Sequence, residues 1–479
     1  MEQLTGLDAG FLSLEGGGML GHVSGVVVVD PSTADPPLDF DRWHDEIESR
    51  LHLVPPFRQR LVEVPLGLDF PYWIEDPDFD LQYHLRHIAL PAPGDREMLA
   101  DQVARIHSRP LDRSRPLWEM YLIEGLADGR AAVMTKFHHA AIDGVSGAEI
   151  LASLVDLEPN PGPPPPPIKP WRPEPEPDPT RLLAKGALSL MTQPARAVRF
   201  GYRTVRALPG LGALVGPGLA TVMKSPSRAP EFLRRPEALA PRTPFNHSIG
   251  GHRRLAFAQV SLDQVKQVKQ QHGVTVNDVV MAMSAGAIRS WLEEFHALPE
   301  RSLVAMVPIS VRTEDNRHEI GNHVSSLVCT LATDVDDPVE RLHAIHDAMS
   351  GVKEQHDALP ADILSDASTF ATPAIAGLAN RLVARTRLAD RINPLFNVVI
   401  SNVPGPPIPL YTAGARIEAD YPISAIIDGV GLNITVMSLD GHLDFGLVAC
   451  RDLVDDLWFM ADALQDQLDT LDEAAAATA

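Results

Sequence analysis

The sequence contains very little cysteine: only Cys329 and Cys450 occur among 479 residues. Each lies in an apolar stretch typical of a strand, and secreted domains built on disulfides are much richer in cysteine. We therefore predict that the fold does not rest on a disulfide framework and that the protein lies in a reducing cytoplasm. Residues 1–5 have neither the basic nor the apolar region of a secretory signal, so export by a signal peptide is not expected.

A long apolar run that could cross a membrane is also missing. Residues 207–223 carry no charge, but a spanning helix needs about 20 apolar residues. This stretch is shorter, and it is broken by Pro209, Gly210, Gly212, Gly216, Pro217 and Gly218. The hydrophobic content of 45% and charged content of 22% are those of a globular protein with a real core.

Positive charge is scarce, because 41 Lys and Arg residues stand against 63 Asp and Glu residues, for a net charge of −22. This balance argues against a general nucleic-acid binder. The scarcity does not extend to residues 180–242, which contain eleven Lys or Arg and only two acids, Glu231 and Glu237. An apolar stripe that begins at Leu183 faces a basic side with helical spacing, so we predict a basic amphipathic segment that contacts a membrane surface or phosphates through Arg196, Arg199, Arg203 and Arg206.

The length of the chain predicts two domains, since a single core usually stops growing at about 250–300 residues. Residues 159–179 include twelve prolines, which favours an extended linker. We therefore predict an N-terminal domain over residues 1–158, the linker and basic helical segment over residues 159–243, and a C-terminal domain over residues 244–479.

A pair of histidines offers the clearest chemistry. Residues 131–137 are apolar and β-prone apart from Lys136, so a buried strand is predicted to lead into His138 and His139. Side chains alternate along a strand, so the two imidazoles should point in opposite directions. Asp143 is close enough to fix the turn or a tautomer, and Gly144 can adopt positive φ. This arrangement suits a general base. A metal site is less favoured, because no third ligand lies nearby at a recognisable spacing such as H-E-x-x-H.

The pattern H-H-x-x-x-D-G resembles the active-site motif of the condensation-type acyltransferase superfamily. Further landmarks follow in order: Pro116-Leu117-Trp118, Asn277-Asp278, the stretch 307–312 and the stretch 401–406. With these, nearly the whole sequence resembles the bacterial wax ester synthase/diacylglycerol O-acyltransferase family. The resemblance implies a mixed α/β fold of two chloramphenicol acetyltransferase-like domains, with a substrate tunnel at their interface and the histidine motif in the first.

The resemblance also implies an O-acyltransferase that uses acyl-CoA as co-substrate, without another cofactor, and esterifies diacylglycerol or a long-chain alcohol. It implies His139 as general base, His138 as a supporting residue, Asp143 as an orienting residue and Gly144 as the turn residue. The candidate substrate-binding residues are Trp118, Asn277, Asp278, Ser401 and Asn402. No G-x-S-x-G motif or cysteine lies near the histidines, so we expect direct transfer without an acyl-enzyme. A cytoplasmic enzyme of this kind should associate peripherally with the inner membrane face or lipid droplets.

Two alternatives stay open at this point. A condensation-domain enzyme acting on a carrier-bound or other hydroxyl or amine substrate would share the histidine motif, although no carrier segment is present. A non-catalytic lipid-binding relative would be expected to lose the histidine or the aspartate, and both are present. Apart from these, His22 is a weaker candidate for lining the tunnel, with a purely structural role as its alternative.

Overall fold

The computed structural model describes residues 1–142, 147–167, 170–189, 240–310, 324–356 and 386–478. The strands within these ranges are β1 (Glu2–Gln3), β2 (His22–Asp30), β3 (Gln59–Val62), β4 (Tyr72–Glu75), β5 (Leu85–Ala89), β6 (Trp118–Glu124), β7 (Ala131–His138), β8 (Arg253–Ser261), β9 (Val304–Ser310), β10 (Val324–Thr330), β11 (Val398–Val403), β12 (Tyr411–Thr412), β13 (Ala415–Ile423), β14 (Leu432–Leu439) and β15 (His442–Cys450).

The α-helices in the same ranges are α1 (Gly6–Leu14), α2 (Phe40–Arg50), α3 (Leu81–His84), α4 (Arg96–His107), α5 (His139–Ile142), α6 (Gly147–Leu154), α7 (Leu262–His272), α8 (Val276–Glu294), α9 (Pro338–His356) and α10 (Leu457–Thr478). Their ends follow the local sequence, because Asp39, Asp95 and Ser261 cap α2, α4 and α7 with side-chain oxygens. None of the described helices has the length and apolarity needed to span a membrane.

The first large sheet has the strand order β12-β13-β2-β7-β6-β5. Strands β6 and β7 pair as an antiparallel hairpin, with Trp118 opposite Phe137. On its other side β7 pairs with β2, so that His138 lies opposite His22. The histidine motif therefore follows a strand at the middle of the sheet, where both neighbours hold its backbone.

The second large sheet has the strand order β10-β9-β11-β14-β15-β8 and carries α7 to α10. Val280 and Ile288 of α8 pack with Phe445 of β15 and Leu464 of α10 in the largest apolar cluster. Cys329 and Cys450 are buried on β10 and β15 as free thiols. The mixed α/β fold of two sheet-based units agrees with the predicted fold class.

Strands β12 and β13 belong to the first sheet although their residues lie in the predicted C-terminal domain. The alternation of buried Ala415 and Ile417 with exposed Arg416 and Glu418 is that of a strand with one face in the core. A second link is the packing of α4 on β8, within a cluster that contains Val103 and Phe257. The two halves of the chain therefore share a core, and a division at residue 244 does not separate the two sheets.

The proline-rich segment lies against the third, three-stranded sheet of order β1-β4-β3. Trp171 donates its indole N–H to Glu75 Oε2 at 2.9 Å, and the backbone N–H of Glu174 donates to the Glu75 carbonyl at 3.1 Å. The amino terminus of Met1 approaches Glu174 Oε1 at 2.8 Å. The predicted linker is thus extended, but over these residues it is held to the protein.

Residues 179–189 form a helix, as the periodicity predicts, but its buried face is displaced by one residue from the predicted stripe. Leu182 is buried, and Gly186 lies so close to Val64 and Leu68 that a Cβ there would be 2.9 and 3.0 Å from their atoms. Leu183 is 40% exposed. The four arginines Arg196, Arg199, Arg203 and Arg206 lie outside the described residues.

Candidate active site

His139 lies where the central strand of the first sheet becomes a helix. Strand β7 ends at His138, and α5 begins at His139. The strand therefore ends one residue before His139, whereas the predicted alternation of the two imidazoles requires both histidines to lie on the strand. The backbone N–H of His139 donates to the Gly21 carbonyl at 2.8 Å. Its half-buried imidazole stacks on Phe11 of α1, with ring centroids 4.6 Å apart and an interplanar angle of 11°. The ring is therefore held in place at the end of the sheet.

His138 is 1% exposed, and its side chain contacts the backbone of the first turn of α5. Its Nδ1 accepts the backbone N–H of Ala140 at 3.0 Å, so this nitrogen must be unprotonated. The proton of the neutral ring then lies on Nε2, which is 3.2 Å from Glu15 Oε1. This second contact is an electrostatic approach and not an aligned hydrogen bond. His138 thus acts as an N-cap for the helix that begins with His139.

Glu15 is a site residue that sequence reasoning missed. Its carboxylate accepts the Gly21 N–H at 3.1 Å and the Arg113 Nε–H and Nη2–H at 3.1 and 2.6 Å. Burial favours a high pKa for this carboxyl, but the contacts with His138 and Arg113 outweigh burial and lower the pKa from 4.5 to about 2. The carboxylate beside His138 is therefore ionised at neutral pH.

The same face of the first sheet buries further titratable groups. Lys136 is fully buried, and its Nζ donates to the carbonyls of Ile106 and Arg109 at 3.2 and 2.5 Å. Burial lowers the pKa of Lys136 to about 8. His22 is also fully buried, and its Nε2 lies 2.7 Å from the His107 carbonyl. His22 and Lys136 therefore hold the end of α4 against the sheet, which favours the structural role for His22.

Two predicted substrate-binding residues are buried and make contacts within the protein. Trp118 is 1% exposed, stacks on Phe57 and His84, and donates its indole N–H to the Phe57 carbonyl at 2.9 Å. Asp278 is 2% exposed, accepts the Thr275 N–H at 2.9 Å and lies 2.7 Å from His346 Nδ1. Neither side chain presents a surface to a ligand, because tryptophan packing and helix capping already use them.

The other predicted substrate-binding residues lie on the second sheet or its helix and are half-buried. Asn277 is in the first turn of α8, and Ser401 and Asn402 lie on β11 next to β14. Asp143 and Gly144 fall outside the described residues. The described site therefore consists of the two histidines with the backbone and side chains that hold them.

An open cleft of about 600 Å³ lies elsewhere, between α2, the start of α3 and Trp171. It contains none of the predicted site residues; among its lining side chains are His44, Glu48, Arg58 and Phe79. In the part of the chain that the structure describes, His44, Asp45 and Glu48 are the residues whose donor atoms come within 4.8 Å of one another. Two of the three are exposed on one helix, and we infer no metal site from them.

The two sheets, with the strand-to-helix junction at the histidine pair, have the fold of condensation domains. The first condensation domain of the calcium-dependent antibiotic synthetase matches over 99% of this chain and 96% of its own length, with a TM-score of 0.54 and 17% identity. At that identity the similarity concerns the fold alone.

Sequence comparison then defines the family. The wax ester synthase/diacylglycerol acyltransferase catalytic domain matches residues 4–280, and the WS/DGAT C-terminal domain matches residues 320–472. A probable diacylglycerol O-acyltransferase of Mycobacterium tuberculosis is 37% identical over 99% of this chain and 99% of its own length. The structure of the wax ester synthase/diacylglycerol acyltransferase from Marinobacter aquaeolei matches with a TM-score of 0.70 and 31% identity over 99% of this chain and 100% of its own. The chain belongs to the wax ester synthase/diacylglycerol acyltransferase family and is an O-acyltransferase.

Proposed function

We propose that the protein transfers a fatty acyl group from acyl-CoA to the hydroxyl of diacylglycerol or a long-chain alcohol, with His139 as general base. The observation that carries this proposal is the half-buried imidazole of His139, held against Phe11 at the junction of β7 and α5. The names of the mycobacterial and Marinobacter relatives support the choice of acceptors.

A hydroxyl is a weak nucleophile, so the reaction needs a proton acceptor. An imidazole with an ordinary pKa of about 6.5 can accept that proton at neutral pH. The hydroxyl oxygen then forms a bond to the thioester carbonyl carbon, the C–S bond breaks, and the proton moves from His139 to the sulfur of CoA. General-base catalysis of this kind contributes about 10²- to 10⁴-fold in rate.

Direct transfer is supported by the state of the two thiols. Cys329 and Cys450 are both buried in strands of the second sheet, whereas His139 follows a strand of the first. Burial raises the pKa of the Cys329 thiol to about 12, so it stays protonated and unreactive. We therefore propose that no cysteine acyl-enzyme forms.

The acceptor lipids reside in membranes and droplets, and we propose that this cytoplasmic enzyme lies on their surface. The helical residues 179–189 expose Leu183 and Leu188 by 40% and 65% beside Arg181 and Lys185, which are also exposed. The arginines Arg196, Arg199, Arg203 and Arg206 follow in the sequence. Apolar and basic side chains together suit an anionic lipid surface.

The test of the catalytic proposal is His139→Ala, assayed beside the wild type with labelled acyl-CoA and a panel of diacylglycerol, hexadecanol and a long-chain amine. We expect turnover to fall at least 100-fold with both hydroxyl acceptors, while circular dichroism and the melting temperature stay near those of the wild type. His252→Ala, which removes an exposed histidine, serves as the matched control. Normal turnover in His139→Ala would exclude the proposed base, and turnover with amine acceptors alone would favour the condensation-domain alternative.

A further inference from the structure

We propose that Glu15 is a positioning residue for this reaction, and that it acts through His138 to fix the helix turn on which His139 stands. The inference rests on the proposed role of His139 as general base. Its observable basis is a continuous set of contacts from Arg113 through Glu15 and His138 to the backbone of α5.

The first step is the anchoring of the carboxylate. Glu15 is the C-cap residue that follows α1, and Arg113 donates to its Oε2 from both Nε and Nη2. The same Nη2 donates to the Leu12 carbonyl at 2.6 Å. Because two groups of one guanidinium hold the carboxylate, its position is set independently of His138. The side chain is 13% exposed.

The second step is the choice of tautomer at His138. Ala140 needs an acceptor for its N–H, and Nδ1 supplies one only while it carries no hydrogen. A fixed negative oxygen 3.2 Å from Nε2 favours the tautomer with its hydrogen on that side. Exchange of the proton to Nδ1 would set two hydrogens against each other and remove the cap from α5.

The third step connects the same carboxylate to His139 along the backbone. Gly21 donates its N–H to Glu15 Oε1, and its carbonyl accepts the N–H of His139. A Cβ at Gly21 would lie 2.5 Å from His138 Nε2, so the close approach of the three groups needs a glycine. Phe11, which stacks on the His139 ring, belongs to α1, the helix whose C-cap is Glu15. One carboxylate therefore contacts the elements on both sides of the catalytic ring.

The main variant is Glu15→Gln, which keeps the shape of the side chain and removes its charge. We expect kcat to fall about 10- to 100-fold while KM for acyl-CoA and for the acceptor changes less than about threefold, since the proposed role of Glu15 is exerted through His138 and not through substrate binding. Glu15→Asp, which keeps the charge on a shorter side chain, should recover part of kcat. Glu63→Gln is the matched control, because Glu63 approaches the same Arg113 at 3.8 Å and is 67% exposed.

A pair of substitutions at His138 separates positioning from general stability. His138→Asn offers an oxygen near the place of Nδ1 and can keep the cap, whereas His138→Gln reaches toward Glu15 and loses the cap. We expect His138→Asn to retain more activity than His138→Gln. In the His138→Asn background, Glu15→Gln should have less than a threefold further effect, since the residue through which it acts has been replaced.

Two results would overturn the inference: normal kcat in Glu15→Gln, or an equal loss of kcat from that substitution in both backgrounds. Nitrogen NMR of labelled histidine gives a readout that is independent of turnover. His138 should carry its hydrogen on Nε2 in the wild type and populate both tautomers in Glu15→Gln. If His139→Ala remained active while the tautomer shifted as expected, the proposed base would fail and the contact between Glu15 and His138 would stand.

Discussion

Two buried carboxyl groups meet where the first and second sheets touch. Asp444 of β15 accepts the backbone N–H of Asp420 of β13 at 2.8 Å and the Gln259 amide N–H at 2.8 Å. Burial, with the neighbouring Asp444, raises the pKa of Asp420 to about 7. Burial also raises the pKa of Asp444 to about 6. We therefore expect the stability of the junction between the sheets to depend on pH.

The sign of this effect follows from the raised pKa values. An unfolded aspartate ionises near pH 3.8, whereas folded Asp420 keeps its proton to about pH 7. Its contribution to stability is therefore fully present below pH 3.8 and is lost as the pH rises to about 7. We expect Asp420→Asn, which cannot ionise, to melt higher than the wild type at pH 8, with a smaller difference at pH 5.

Thermal melts at the two pH values, with Asp263→Asn as an exposed control, test this prediction. A difference between variant and wild type that is equal at pH 5 and pH 8 would contradict it. The measurement concerns folding alone, so it does not depend on the identity of the acceptor lipid.

The histidine pair and its partner Glu15 show which parts of the site could be predicted from the sequence and which could not. Local β propensity was sufficient to predict β7 and the position of the histidine pair at its end. The partner of His138 was not predictable, because residues 15 and 138 meet only through the pairing of β2 with β7. The sequence signal around Glu15, an acid followed by three glycines, indicates a turn and says nothing about an imidazole.

At the scale of secondary-structure elements, local sequence signals predicted the ends of helices better than their buried faces. Thr275 caps α8 with the reciprocal contacts of a capping box to Asp278, a pattern that the spacing of the two residues in the sequence indicates. The helix of residues 179–189 was also predicted, but its buried side depends on Val64 and Leu68, which lie more than a hundred residues earlier. Periodicity cannot choose between neighbouring faces when both carry leucine, so the choice belongs to tertiary packing.

The capping box provides a test of the role of Asp278. Asp278→Ala removes the acceptor of the Thr275 N–H and the partner of His346, and a lost cap costs about 0.5–2 kcal/mol. We expect lower stability in urea denaturation but an unchanged KM for both substrates at a temperature where the variant is folded. Asn277→Ala, at the neighbouring half-buried position, is the comparison. A raised KM with unchanged stability in Asp278→Ala would instead support substrate contact.

At the scale of the whole molecule, β13 makes the two halves depend on each other. Strand β13 pairs with β2 in the first sheet and contacts β15 of the second. Gly446 of β15 approaches the Pro422 carbonyl so closely that a Cβ would lie 1.7 Å from that oxygen. No local pattern reports this contact, because it joins strands of different sheets. The composition of the chain made the proline-rich linker a reasonable place to divide it. Composition could not reveal that the two halves share a core.

We predict that Gly446→Ala destabilises the whole molecule by about 1–3 kcal/mol, the usual cost of forcing atoms into a packed interior. Unfolding should stay a single transition by circular dichroism and by fluorescence, since tryptophans lie in the cores of both units, Trp118 in the first and Trp291 in the second. Gly251→Ala, where a Cβ meets nothing within 4 Å, is the control. Separate transitions for the two signals would contradict the shared core.

Binding to a lipid surface is also a property of the whole molecule. Each Lys or Arg near an anionic leaflet contributes about 1 kcal/mol of attraction, which salt screens. A variant with Arg196, Arg199, Arg203 and Arg206 changed to Gln should therefore bind anionic vesicles at least about 30-fold more weakly at low salt. It should still acylate a short soluble alcohol from a short-chain acyl-CoA.

Replacement of the same four arginines by Lys is the matched control, because it keeps the charge and should keep the binding. Co-sedimentation with phosphatidylserine vesicles and with neutral vesicles measures the effect. Unchanged sedimentation of the Gln variant would exclude the arginines as the membrane contact. An equal loss of activity on the soluble alcohol would place them instead at the phosphates of CoA, since a surface contact has no reason to affect a substrate that reaches His139 from solution.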